Sequence, residues 1–136
     1  MSVTGVWKIA TADPARVAVV AVDGTTTSFA TLAAHSNQIA HGLAAMGLTP
    51  GDRIAVSMSN TPEVVALFLG AMQSGLYVVP INYHSTANDV AFIVEDSESR
   101  ALFTDPEFAA TSAAALDSID FPADRRFSNG NAQGLS

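Results

Sequence analysis

The sequence contains no cysteine and few basic residues, and both shortages exclude classes of function. Without cysteine the chain can form neither a disulfide scaffold nor a thiolate metal site. Six lysine and arginine residues, of which Lys8 is the only lysine, stand against 13 acidic residues and give a net charge of -7. Binding to a nucleic-acid backbone needs a basic stripe, so we predict no nucleic-acid partner.

Long apolar runs are also missing. The most apolar stretch, residues 64–72, is far shorter than the roughly 18 residues that a membrane-spanning helix needs. The start of the chain does not read as a secretory signal, because no basic segment precedes a long apolar one. We therefore predict a cytoplasmic protein without a membrane span.

What the chain does contain is the composition of a globular domain. Of its 136 residues, 49% are hydrophobic and only 14% are charged, far from the composition of disordered chains. The low charged fraction leads us to expect an exposed apolar face. Such a face would bind the rest of a longer chain or cause self-association.

Short β-rich runs alternate with helical segments. Residues 17–22 and 25–27 flank Asp23-Gly24, which predicts a hairpin. Three further strands are predicted at residues 53–57, 76–81 and 101–104. Strands separated by helices predict an α/β fold made of βαβ units, with a parallel sheet and helices on both faces.

The predicted helices begin and end at recognisable residues. Their N-caps are predicted to be Ser28, Asn60 or Thr61, and Thr86. Asp89 completes a capping box with Thr86, and Gly47 and Gly75 end the first two helices. The second helix is apolar nearly all round, which predicts burial on several sides, and Gly70 within it would allow close helix packing. A fourth helix is predicted to open at Asp105-Pro106-Glu107 and to carry Phe108.

Several ordered motifs resemble the adenylate-forming, AMP-binding superfamily. The segment Gln73-Ser-Gly-Leu-Tyr-Val-Val-Pro-Ile-Asn82 is similar to its core motif. Gly47-Leu-Thr-Pro-Gly-Asp-Arg-Ile-Ala-Val56 and Asn60-Thr-Pro-Glu63 resemble flanking family segments. Within the superfamily, Pro80-Ile-Asn-Tyr-His84 and Ile93-Val-Glu-Asp-Ser97 look most like the acyl-CoA synthetase branch that handles fatty acids.

The resemblance implies a reaction and a domain organisation. Acyl-CoA synthetases use ATP and Mg to convert a carboxylate to an acyl-adenylate and pyrophosphate, and the thiol of CoA then displaces AMP. Residues 13–127 would form an α/β subdomain of the large N-terminal domain, after an N-terminal extension at residues 1–12 and before a truncated or irregular tail at residues 128–136.

The residues that perform this chemistry in the family are not found here. The family binds ATP phosphates with a Ser/Thr- and Gly-rich loop ending Pro-Lys-Gly, and this sequence has no such segment. The family's catalytic lysine belongs to a later domain, and Lys8 precedes the first strand. We therefore expect an N-terminal portion of an acid–thiol ligase with no catalytic residues of its own, bound to the remainder of the synthetase chain.

One residue stands out as a binding candidate. His84 follows a strand that ends in Pro80, at the carboxyl end of a predicted parallel sheet, where α/β proteins bind ligands. Some relatives carry a basic residue at this point, so the resemblance implies a contact between His84 and a phosphate of CoA. An exposed loop histidine with no ligand is the competing interpretation.

Other polar residues have structural interpretations. His35 and His41 are six apart and do not share a helical face, so we predict no metal site. Glu95, Asp96 and Glu98 are interpreted as a solvated helix end that pairs with Arg100, and Tyr77 and Phe103 as sheet core.

Two alternative functions stay open. One is a non-catalytic α/β binding module of receiver-like or flavodoxin-like type. The other is part of an amino-acid adenylation domain, although such domains usually carry Asp where this chain has Asn82.

Overall fold

A computed structural model describes residues 5–129, which form two compact units. The first unit contains residues 5–47 and 60–74, and the second contains residues 48–59 and 75–129. The helices and strands are, in chain order, α1 (Val6–Ala12), β1 (Val17–Val20), β2 (Thr26–Ser28), α2 (Phe29–Ala45), β3 (Arg53–Ser57), α3 (Pro62–Gln73), β4 (Tyr77–Pro80), α4 (Ala87–Asp96), β5 (Leu102–Thr104), α5 (Ala109–Ser118) and β6 (Arg126–Ser128), with short 3-10 helices at Pro106–Phe108 and Ala123–Arg125. None of the described helices combines the length and the hydrophobicity needed to cross a bilayer.

The second unit is built on a parallel sheet with strand order β4-β3-β5-β6. Strand β3 pairs in parallel with β4 on one side and with β5 on the other, and β5 pairs in parallel with β6. The prediction of an α/β fold with a parallel sheet is therefore confirmed.

Helices α4 and α5 cover one face of this sheet. Ala55 of β3 and Leu102 of β5, neither of them exposed, belong to one hydrophobic core with residues from the two helices. The helical residues in this core are Val90, Ala91, Val94, Ala109, Ala115 and Leu116. Their burial removes apolar surface from water and stabilises the unit.

Strand β6 was missed in the sequence, where no strand is predicted after residues 101–104. The strand is only three residues long and begins with Arg126, a residue type that usually lies on a surface. In the fold Arg126 is buried, and its guanidinium donates hydrogen bonds to the Asp117 carboxylate and to the backbone oxygen of Phe121. This strand therefore depends on its long-range pairing with β5. Its three residues alone do not predict a strand.

In α4 the predicted capping box is present. The Thr86 hydroxyl accepts a hydrogen bond from the Asp89 backbone, and the Asp89 carboxylate accepts one from the Thr86 backbone. The predicted fourth helix is divided, since Pro106–Phe108 is a 3-10 turn and α5 begins only at Ala109.

The first unit begins with α1, which contacts α2, and continues with a hairpin. Strands β1 and β2 pair antiparallel, and Gly24 in the turn has φ +86°, a conformation that favours glycine. The Asp23 carboxylate accepts a hydrogen bond from the Thr25 backbone, and this bond holds the pKa of Asp23 below its ordinary value of 3.8. The predicted hairpin is confirmed, with β1 ending two residues earlier than expected.

The ends of the predicted chain segments are only partly described. The predicted extension at residues 1–12 includes α1, while residues 1–4 lie outside the described part of the chain. Most of the predicted tail, residues 130–136, also lies outside it. The domain boundaries at residues 12 and 127 stay predictions.

Helices α2 and α3 have the predicted caps. Ser28 and Thr61 accept hydrogen bonds from the backbone three residues on, and Gly47 (φ +82°) and Gly75 (φ +73°) follow the helix ends. The buried residues of α3 form one stripe, namely Ala66, Leu67, Gly70 and Ala71. Met72 lies outside the stripe and is 66% exposed, so the predicted burial on several sides does not extend to this residue.

Gly70 sets the separation of α2 and α3. A Cβ atom at this position would lie 2.8 Å from Ile39 Cγ2 and 2.9 Å from the backbone oxygen of Ser36. The side chain of Ile39 could shift, but a helical backbone oxygen could not do so without moving α2. This explains the predicted role of Gly70 in close packing.

We predict that Gly70→Ala lowers the free energy of unfolding by about 1–3 kcal/mol, because the added methyl group overpacks the interface. Gly42→Ala is the matched control, since it lies in α2 and a methyl group added there would meet no atom within 4 Å. That control should leave stability unchanged or raise it by up to about 1 kcal/mol. Urea unfolding monitored by circular dichroism measures both, and equal stability of Gly70→Ala and the wild type would contradict the prediction.

Candidate functional site

The parallel pairing places the carboxyl ends of β3, β4 and β5 at one edge of the sheet. Val56 is paired with Pro80, and Ser57 with Thr104, so the three strands end almost level. Open α/β sheets bind their ligands at this edge. The residues that follow the three strands here form what we call the carboxyl-edge site: Ser59, Tyr83, His84, Asp105 and Phe108.

The loop after β3 is tied to the end of β5 by a buried carboxylate. Asp105 is only 7% exposed, and its Oδ2 atom accepts hydrogen bonds from the backbone nitrogen (2.7 Å) and the hydroxyl (2.6 Å) of Ser59. Hydrogen bonds to a carboxylate are among the stronger ones in proteins. Asp105 therefore has a structural role, because its Oδ2 atom accepts both hydrogen bonds from Ser59 and so holds the loop after β3.

A second polar contact fixes the same strand ends from inside. Thr104 is fully buried, and its hydroxyl donates to the backbone oxygen of Ser57 at 2.9 Å. The hydroxyl of Ser112 on α5 donates to the Thr104 oxygen at 3.3 Å. The ends of β3 and β5 are thus joined by side-chain hydrogen bonds as well as by the backbone hydrogen bonds of the sheet. These bonds fix the strand ends beneath the site.

The loop after β4 is shaped by Asn82. Its side-chain oxygen accepts a hydrogen bond from the backbone nitrogen of His84 (2.9 Å), and its backbone oxygen accepts one from Ser85 (2.9 Å). This is an Asx turn, in which a short polar side chain replaces a backbone hydrogen bond. It fixes the backbone from which the exposed side chain of His84 extends at the rim of the edge.

Three rings gather beside this turn. The ring of Tyr83 lies 4.4 Å from that of His84 and 4.9 Å from that of Phe108, measured between centroids, while His84 and Phe108 are 6.3 Å apart. Tyr83 and Phe108 are half-buried. The aromatic contact therefore joins the loop after β4 to the turn after β5.

The chemistry available here is that of binding. An exposed imidazole can donate hydrogen bonds to an anionic oxygen, and it does so from both nitrogens when it is protonated. The neighbouring rings offer it an apolar support. The Asp105 carboxylate is buried, and its Oδ2 atom already accepts two hydrogen bonds from Ser59.

The acidic residues at the end of α4 have other partners than expected. Glu98 forms an exposed ion pair with Arg53 (3.0 Å), and Arg100 pairs with Asp52 (3.0 Å). The predicted pairing of the acidic cluster with Arg100 is therefore wrong. The Thr49 backbone hydrogen bond, helped by Arg100, holds the pKa of Asp52 below its ordinary value of 3.8.

The remaining candidates do not join the site. His35 and His41 are exposed on α2, and within residues 5–129 no group of three or more acidic or histidine side chains is arranged to bind a metal ion. Tyr77 is 65% exposed, so its prediction as sheet core is wrong. Phe103 is half-buried and stacks on Phe127 at 4.9 Å.

Sequence reasoning singled out His84 as a candidate but missed the residues that surround it. Asp105 was interpreted only as the start of the fourth helix and Phe108 only as a residue of that helix, while Ser59 was not considered. The available signal was the position of Asp105, a carboxylate directly after a buried strand. Its partner lies 46 residues away in the sequence, and no local pattern could identify it.

Comparison with known proteins assigns the chain to a family. The family model described as "AMP-binding enzyme" matches residues 6–128. A long-chain-fatty-acid–CoA ligase of Mycobacterium tuberculosis is 38% identical over 97 residues, which cover 71% of this chain and 18% of that protein. A fatty acid–[acyl-carrier-protein] ligase of Streptomyces coeruleorubidus is 40% identical over 86 residues, 63% of this chain and 17% of that protein.

A solved structure agrees with the sequence comparisons. The N-terminal domain of FACL13 from Mycobacterium tuberculosis superposes with a TM-score of 0.73 and 35% identity, covering 88% of this chain and 29% of that domain. The chain thus spans less than a fifth of the length of the curated relatives named above. The resemblance found in the sequence is confirmed, and the chain belongs to the AMP-binding enzyme family, as part of the N-terminal region of a fatty acid ligase-like fold.

Proposed function

We propose that this chain is the N-terminal portion of an ATP-dependent acyl-CoA synthetase and that it contributes a CoA-binding surface without doing covalent chemistry. The family match over residues 6–128, together with relatives named as fatty acid ligases, carries the proposal. In the complete reaction a carboxylate and ATP give an acyl-adenylate and pyrophosphate, and the CoA thiol then displaces AMP.

The residues present do not fit ATP and Mg. The sequence has no Ser/Thr- and Gly-rich loop ending Pro-Lys-Gly, and its only lysine, Lys8, is exposed on α1. Phosphoryl chemistry requires preorganised donors around the phosphates. We therefore assign nucleotide activation to parts of a synthetase outside this sequence.

The residues present do fit a phosphate of CoA at one point. His84 is exposed at the carboxyl edge, its backbone is fixed by Asn82, and its ring is supported by Tyr83. A fixed, exposed imidazole is a suitable donor to a phosphate oxygen. Its proposed role is to orient the nucleotide end of CoA, and no bond to the substrate forms or breaks there.

The amino-acid adenylation alternative differs in the thiol that accepts the acyl group. One relative is named as a ligase for an acyl-carrier protein, so relatives of this chain differ in that acceptor. Such domains usually carry Asp at the position of Asn82, but this difference does little to separate the two functions. A carboxylate oxygen of Asp could also accept the hydrogen bond from the His84 backbone. Comparing CoA with a carrier protein as acceptor would discriminate the two functions.

The non-catalytic binding module is the other alternative. It would need a ligand that the isolated chain binds by itself, with no increase in catalysis when later domains are supplied. A cytoplasmic location stays a prediction from the sequence.

For partners, we propose the remainder of a synthetase chain, with self-association of the isolated chain when that remainder is lacking. Tyr77 on β4 and Phe92 on α4 are 65% and 69% exposed, and among the described residues β4 pairs only with β3. An exposed strand edge with large apolar side chains invites association.

The isolated chain should form no acyl-adenylate, because it lacks the groups that bind and activate ATP phosphates. The measurement is carboxylate-dependent exchange of labelled pyrophosphate into ATP, with a range of fatty acids and an active synthetase as the positive control. Exchange above the no-protein blank would contradict the assignment of activation to other parts of the enzyme.

In a full-length synthetase that contains this sequence, His84→Ala should raise KM for CoA about fivefold, the loss expected for one hydrogen bond worth about 1 kcal/mol at a solvent-exposed site. Pyrophosphate exchange should be unchanged, because CoA does not take part in the first half-reaction. His41→Ala, which removes another exposed histidine, is the matched control. An unchanged KM for CoA would contradict the proposed phosphate contact and favour the interpretation of His84 as an exposed loop histidine with no ligand.

At micromolar concentration the isolated chain should sediment as a dimer or larger species despite its net charge of -7. Tyr77→Lys, which places a charge at the edge of the sheet, should shift the population toward monomer. A monomeric wild type that melts cooperatively and binds no hydrophobic dye would contradict this prediction.

A further inference from the structure

The position of His84 depends on more than its own loop. The Asn82 turn fixes the backbone of residues 82–85 through two hydrogen bonds. Those bonds do not restrain the histidine side chain, which is free to rotate about its own bonds unless another group packs against it. The group that does so is the ring of Tyr83, 4.4 Å away.

Tyr83 in turn is located by Phe108. The two rings are 4.9 Å apart and inclined at 32°, within the range of about 4.5–7 Å at which aromatic pairs attract. The rings of His84 and Phe108 are themselves 6.3 Å apart and inclined at 78°, a longer edge-to-face contact. Phe108 therefore acts on His84 in two ways, through the closer ring of Tyr83 and through its own edge-to-face contact.

The backbone of Phe108 is fixed by the turn that precedes it. Phe108 ends the 3-10 turn Pro106–Phe108, in which its backbone nitrogen donates to the Asp105 backbone oxygen at 3.0 Å. Pro106 fixes one backbone dihedral of the turn. Asp105 is held in place by the two hydrogen bonds from Ser59. A continuous series of contacts thus leads from the loop after β3, through Asp105 and Phe108, to Tyr83 and His84.

We propose that Phe108 is a positioning residue for His84, acting through the ring of Tyr83 and through its own edge-to-face contact with the imidazole. The functional part of this inference rests on the proposed contact between His84 and a CoA phosphate. Phe108 itself is only half-buried, unlike Leu102 and Leu116, which are fully buried in the core of this unit. Its ring contacts Tyr83 in the loop after β4, at the carboxyl edge of the sheet.

The test measures how fast each histidine of the 136-residue chain is modified. Diethyl pyrocarbonate ethoxycarbonylates imidazole nitrogens, and peptide mass spectrometry gives separate rates for His35, His41 and His84 at low protein concentration. His35 and His41, both exposed on α2, are internal controls for global unfolding. The informative quantity is the rate at His84 relative to the other two.

Phe108→Ala should raise this relative rate about threefold, because Tyr83 loses the ring that holds it against His84. Phe108→Tyr, which keeps a ring, should restore the wild-type ratio. Phe92→Ala, a matched loss of an exposed phenylalanine on α4, should leave the ratio unchanged. If Phe108→Ala does not fold, Phe108→Leu keeps apolar volume without the ring and should still raise the ratio.

An unchanged ratio in Phe108→Ala and Phe108→Leu would overturn the positioning role, as would an equal rise at all three histidines. The ligand probe is adenosine 3′,5′-bisphosphate. In the wild type it should slow modification of His84, and in Phe108→Ala this protection should be weaker. Equal protection in both would overturn the functional part of the inference. Absence of protection in the wild type would instead refute the proposed CoA contact, and the relative rates would still decide the positioning role.

Discussion

The second unit depends on hydrogen bonding along both sides of β3. Residues 54–57 are buried, and the strand is paired with β4 on one side and with β5 on the other. A buried strand must satisfy its backbone groups within the sheet, because water cannot reach them. Parallel pairing on both sides meets that requirement, and it also brings three strand ends to one edge.

That edge is stabilised by side chains as well as by the sheet. Asp105 binds the loop after β3, the Thr104 hydroxyl binds the end of β3, and the rings of Tyr83 and Phe108 join the remaining loop. Loops fixed by a scaffold in this way are where α/β proteins place binding residues. His84 is the residue that such an arrangement leaves exposed to a ligand.

This chain belongs to the AMP-binding family but lacks a sequence motif with which the family binds ATP. The match to the AMP-binding family covers residues 6–128, yet the sequence has no Ser/Thr- and Gly-rich loop ending Pro-Lys-Gly. The chain spans 17–18% of the length of its named relatives. A fold of this kind supports function through the sites placed on it, and we propose that the groups that activate ATP belong to other parts of a synthetase.

The sequence by itself determined what depends on neighbouring residues: the capping box at Thr86, the glycine ends of α2 and α3, the hairpin turn at Gly24 and the family motifs. Only the tertiary structure decided the partners of Asp105, Arg100 and Arg126, the existence of β6, and the exposure of Tyr77. Caps and turns are local, since their hydrogen bonds close within a few residues. Ion pairs, short strands and ring contacts join residues that the folding of the whole unit brings together, so no local pattern contains them.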